Sequence, residues 1–201
     1  MKIELANWAE FQQLSKHDLI EWDWDRNSDG NTQYQVFGRF ASRWSLAANL
    51  KGILLEGSDP RTQRGYLAGM RVALSYSALE HLLNHSIQRD GKGVNKVQIP
   101  NPALADALRR QLKTYKVKQS ETLSDPAIRK RLADWESGAD ADVLIVARAL
   151  RHMFAHGSFT PYGVGVITES SRQALQELSM AVRLDAESRF IHWLRSHTRL
   201  P

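Results

Sequence analysis

The chain contains no cysteine. That absence removes disulfides, thiolate zinc sites and cysteine nucleophiles together, and it fits a cytoplasmic address. No apolar run approaches the roughly 20 residues that a membrane-spanning helix needs, so no membrane partner is expected. No long apolar segment follows the lysine of Met1-Lys2-Ile3-Glu4-Leu5-Ala6-Asn7, and a signal peptide is not expected. Phosphate-cradling glycine loops, nucleophile elbows and kinase motifs are missing as well. Proline is scarce, with 6 in 201 residues, so few positions forbid a helix.

What remains is a chain rich in helix formers. Its length suits one domain with a sizeable core, and we treat residues 1–201 as a single unit. Apolar content of 42% is ordinary for a globular protein. The net charge of +5 favours a polyanionic partner without establishing one.

Apolar periodicity and breakers predict a series of helices. The first spans about 5–22, before the Trp22-Asp23-Trp24-Asp25 segment and Gly30 break it. The second spans about 34–56, with Phe37, Phe40, Trp44, Ala47, Ala48 and Leu55 on one face. Asp59-Pro60 is a cap followed by a proline suited to the first helical position. A long helix then runs to about 89. Two shorter helices are expected over about 102–115 and 126–136, the second announced by Ser124-Asp125-Pro126 and stopped by Gly138. A helix over 141–155 follows, then a loop with a short strand at 164–167. A last helix runs from Thr168 to about 197. The fold class is all-α: an up-and-down helical bundle, with 91–125 as an inserted helical segment between its long helices.

The helix over 141–155 carries the most informative stretch, Ala149-Leu150-Arg151-His152-Met153-Phe154-Ala155-His156-Gly157. Val143, Leu144, Ile145, Val146, Ala147, Ala149, Leu150, Met153 and Phe154 surround the helix with apolar side chains, which predicts a central place in the bundle. Arg148, Arg151, His152 and His156 share it. Buried cations need an acid from another helix, a wet cleft or a subunit interface. Arg148, His152 and His156 fall in one row, whereas Arg151 and His156 stand about 140° apart around an ideal helix. Those two converge only if the arginine wraps round the helix end or a second subunit completes the set. Taken alone, an Arg and a His in a helix read first as a satisfied structural pair.

Arg151-x4-His156, with polar His152 after the arginine and Gly157 after the histidine, resembles the signature of the HEPN superfamily of all-helical, nucleotide-binding proteins. The segment Ala73-Leu74-Ser75-Tyr76-Ser77-Ala78-Leu79-Glu80-His81-Leu82-Leu83 resembles that family's earlier core helix, where an acid often neighbours the motif. The resemblance implies a metal-independent endoribonuclease, often a toxin or defence effector with an antitoxin or regulator protein as partner. It also implies a homodimer in which two motifs share one cleft. Carried over, Arg151 neutralises the scissile phosphate, His156 transfers a proton, His152 takes the polar place, and Glu80 holds Arg151 or His156. Ser158 stands where partner-modified toxins of the family have a tyrosine, and Tyr162 is out of pattern. The alternative is a non-catalytic HEPN-like module that binds nucleotide, RNA or protein.

RNA carries its own nucleophile, the 2′-hydroxyl, so cleavage needs little beyond one proton-transfer group and one cation. No metal or cofactor is expected. His81/His85 and His152/His156 both have i, i+4 spacing, but no third ligand is evident for either pair. Arg109, Arg110 and Lys113, with Lys116, Lys118, Arg129, Lys130 and Arg131, form the densest basic region. It reads as a solvated face or, together with Arg148, as a surface that tracks RNA phosphates. The six tryptophans are expected in the core or an interface, with Trp22 and Trp24 partly exposed.

Overall fold

The computed structural model describes residues 2–85, 97–114, 125–156 and 168–199. Among these are seven α-helices and no strand: α1 (Trp8–Lys16), α2 (Gln33–Asn49), α3 (Pro60–His85), α4 (Pro102–Thr114), α5 (Pro126–Ser137), α6 (Leu144–Ala155) and α7 (Glu169–His197). The all-α class read from the sequence is the observed one. The expected strand at 164–167, the 91–96 connection, Gly157, Ser158, Tyr162, Lys116 and Lys118 lie outside the described residues.

Local chemistry accounts for most helix starts. Thr32 and Gln35 form a capping box on α2. Asp59 accepts from the backbone N–H of Arg61 at 2.7 Å and of Thr62 at 3.0 Å. Asp125 caps α5 with Pro126 in the first turn, and Gly138 ends that helix at φ 84°. Thr168 accepts from the Ser171 N–H at the start of α7. Each of these groups satisfies backbone atoms that a helix end leaves without partners.

Two boundaries differ from the sequence reading. Helix α1 stops at Lys16 instead of continuing to 22. Asp18 takes a left-handed φ of 56°, Leu19 N–H donates to the Leu14 carbonyl at 2.9 Å, and Asp18 N–H donates to Ser15 at 3.2 Å. This is a Schellman stop with aspartate in the place glycine usually fills. The chain then runs extended, and Ile20 bridges Thr198 beyond α7. Helix α2 stops at Asn49 instead of continuing to 56. Leu50 turns extended and its carbonyl accepts from the Arg71 side chain, so the apolar run at 53–55 belongs to a loop in which Leu54 is 89% exposed.

The longest helices, α3 and α7, are on the order of 40 Å each. Helix α3 is the hub, packed on α2, α6 and α7, while α5 packs on α6 and α4 on α7. Centrality therefore belongs to α3 more than to α6. Helix α6 nonetheless buries Ile145, Val146, Ala147, Ala149, Leu150 and Met153. Helix α4, inside the expected insertion, places Ala107, Leu108 and Leu112 in the main core. An aromatic cluster closes the other end of α7. Phe11 touches Trp8, Trp22, Tyr34, Phe37 and Phe190 at centroid distances of 4.9–6.1 Å. Trp44, Trp135 and Trp193 are buried, and Trp8, Trp22 and Trp24 are half-buried.

Candidate functional site

Helix α6 brings Arg151, His152 and His156 to its C-terminal end by way of its buried apolar residues. The face of α3 opposite carries Glu80. Arg151 Nη2 lies 3.0 Å from Glu80 Oε2, with the side chains 34% and 31% exposed. The pair is therefore in reach of solvent, where an ion pair contributes no more than about 1 kcal/mol. It orients the guanidinium more than it holds the fold together.

His156 is the C-cap of α6, and its N–H donates to the His152 carbonyl at 3.1 Å. The two imidazoles lie 4.5 Å apart between centroids, inclined at 50°. His152 is half-buried and His156 exposed. Arg148, one turn before His152, is half-buried on the same row. Within one chain, Arg151 turns to α3 and His156 turns back along its own helix. No hydrogen bond joins Arg151 to His156 among the described residues. The site thus offers one oriented cation, a half-buried His152 and an exposed His156 at one helix end. Among the described residues no group of three His, Asp or Glu is arranged to hold a metal ion.

The basic residues of α4 and α5 divide. Arg109 pairs with Asp106 at 2.8 Å, and its guanidinium lies over the Trp135 ring at 5.0 Å. It links α4 to α5 and is occupied by that role. Arg131 pairs with Asp142 at 3.1 Å and approaches Asp140 at 3.8 Å, tying α5 to the lead-in of α6. Arg110 and Lys113 are exposed. These α4 residues sit on a helix packed against α7, whereas the Arg151 end of α6 faces α3.

Arg71, with Arg61 and Arg64, reads from the sequence as a solvated face or a phosphate-tracking surface, and nothing there links it to Arg183. Arg71 of α3 and Arg183 of α7 are half-buried, and burial pushes both guanidinium groups below their ordinary range. In Arg183 the charge of Arg71 adds to that effect and Glu187 opposes it. Only the antiparallel pairing of α3 with α7 brings the two together, and no spacing within either helix announces it.

No protein-family model matches this chain, and neither does any curated protein or solved structure.

Proposed function

We propose that the protein is a metal-independent endoribonuclease of HEPN type. One observation carries the reading: Arg151 is oriented by Glu80 of α3 at the same helix end that presents His156 to solvent, with His152 beside it. In this reaction the substrate's 2′-hydroxyl attacks the adjacent phosphorus and the 5′-oxygen leaves. Arg151 neutralises the added charge on the phosphorane-like transition state. His156 moves a proton at the attacking or the leaving oxygen.

The gap between Arg151 and His156 within one chain is met by a second copy, whose motif helix end completes the cleft. The apolar side chains of α6 are consumed inside the chain, so the residues available there are the polar ones. A role as a toxin or defence effector, restrained by an antitoxin or regulator, belongs to the same proposal. The competing reading is a non-catalytic RNA- or nucleotide-binding module or a protein-interaction module. It is favoured by the Glu80 contact, which already satisfies Arg151.

The deciding experiment incubates the purified protein with mixed RNA, with and without chelator. Cleavage is expected in both conditions, and Arg151→Ala and His156→Ala are each expected to abolish it without changing the helical circular-dichroism signal. Wild-type cleavage by either variant would overturn the assignment. Loss with chelator, restored by zinc or manganese, would move the chemistry to the histidine pair.

A further inference from the structure

Helices α3 and α7 meet through two serines. Ser75 Oγ donates to the Arg71 carbonyl at 2.7 Å, which leaves Ser179 Oγ to donate to Ser75 across the interface at 2.9 Å. Both serines are buried, and their small size lets the helices approach. One turn away, back along α3 and forward along α7, stand Arg71 and Arg183.

Each guanidinium is held from behind. Arg71 donates through Nε, at 2.8 Å, and Nη2 to the Leu50 carbonyl at the end of α2. Arg183 lies over the Trp44 ring at 5.5 Å, and Trp44 Nε1 donates to the Arg183 carbonyl at 3.1 Å. Arg183 Nε is shut away from solvent with no hydrogen-bond partner among the described residues. Glu187, the acid that acts on Arg183, spends its Oε1 on the Ala6 N–H at 2.7 Å. Two like charges that act on each other are thus held one turn from the same interhelical contact, half out of water, with one carboxylate nearby that is engaged elsewhere. Holding them so is costly unless an anion is supplied.

We propose that Arg71 and Arg183 form a binding site for a phosphate group. Two guanidinium groups fixed on different helices call for a ligand with several acceptor oxygens and more than one negative charge, and a tetrahedral phosphate has both. Arg71 lies nine residues before Glu80 on α3, about 13 Å along the helix axis, so this site is distinct from the Arg151 end of α6. The proposal does not depend on ribonuclease activity. The phosphate is either a free anion or part of a nucleic-acid backbone.

The test titrates the full chain with inorganic pyrophosphate, and separately with a short 2′-O-methyl RNA that cannot be cleaved, at constant ionic strength by calorimetry. Wild type, Arg183→Gln, Glu187→Gln and Arg151→Ala are compared. Arg183→Gln is expected to weaken binding at least tenfold. Glu187→Gln, which keeps an acceptor for the Ala6 N–H but removes the competing charge, is expected to tighten it severalfold. Arg151→Ala is expected to leave pyrophosphate binding unchanged. This pattern with pyrophosphate identifies a free-anion site, and the same responses to Arg183→Gln and Glu187→Gln with the oligonucleotide alone identify a backbone phosphate. The proposal is overturned if neither probe binds, if Glu187→Gln leaves affinity unchanged, or if Arg151→Ala removes pyrophosphate binding. The Glu187→Gln arm decides the matter even if Arg183→Gln fails to fold.

Discussion

At the residue scale, the Arg151–Glu80 pair separates a positioning role from a structural one. Both side chains are about one-third exposed. Glu80→Gln is therefore expected to cost less than about 1 kcal/mol in urea denaturation, while slowing single-turnover RNA cleavage through a lower rate and an unchanged binding constant. A larger stability loss with unchanged cleavage would make the pair a structural tie. Asp23 gives a prediction in pH. Its carboxylate accepts from Trp193 Nε1 at 2.9 Å and Gln33 Nε2 at 3.0 Å, and it faces His197 Nε2 at 2.9 Å. Burial pushes this group up, but those hydrogen bonds and the His197 charge together hold it below the ordinary carboxylate range. A lowered folded pKa stabilises the fold above the unfolded value of about 3.9, and that stability is lost as pH falls through the folded pKa. The stability gap that separates wild type from Asp23→Asn at about pH 5 should shrink below about pH 4. A constant gap down to pH 3 would contradict this account.

At the element scale, helix ends are the most testable features. Gly138 terminates α5 at φ 84°, and a Cβ placed there would meet nothing within 4 Å. Any penalty for Gly138→Ala is therefore conformational, about 1–2 kcal/mol. Equilibrium unfolding measures it, and an unchanged midpoint would show that the stop does not depend on the left-handed residue. The same logic explains where sequence reading misplaced ends. Asp18 supplies the left-handed stop of α1, a conformation glycine would have signalled plainly. Leu50 leaves α2 where the Arg71 side chain captures its carbonyl, a contact 21 residues distant in the chain.

At the scale of the whole molecule, charge and assembly matter most. Arg109 serves the α4–α5 contact, and Arg110 and Lys113 are the exposed cations of α4. If RNA tracks this face, Arg110→Glu with Lys113→Glu should weaken binding and flatten its salt dependence, because fewer counterions are released. Unchanged affinity at low salt would make it a solvated face. The proposed second copy should appear as a dimer in light scattering at micromolar concentration, with an interface above roughly 1,000 Å². The exposed apolar residues Leu46, Leu54, Met180 and Leu184 lie on α2, its following loop and α7, and none of the exposed large apolar residues is on α6. A monomer at that concentration would leave Arg151 and His156 apart and would count heavily against shared catalysis.

The sequence by itself determined the all-helical class, the caps at Asp59 and Asp125, the start of the last helix at Thr168, the stop at Gly138 and the concentration of Arg151, His152 and His156 at one helix end. These are local properties, set by the backbone preferences of a few neighbouring residues and by apolar periodicity. Only the tertiary structure decided that α3 is the hub, that Arg151 meets Glu80, that Arg109 is committed to Trp135 and Asp106, and that Arg71 and Arg183 stand together. Each of those depends on how two helices distant in the chain are rotated and offset against one another. That offset is set by side-chain packing across the core, such as the Ser75–Ser179 contact, and no spacing within a single helix encodes it.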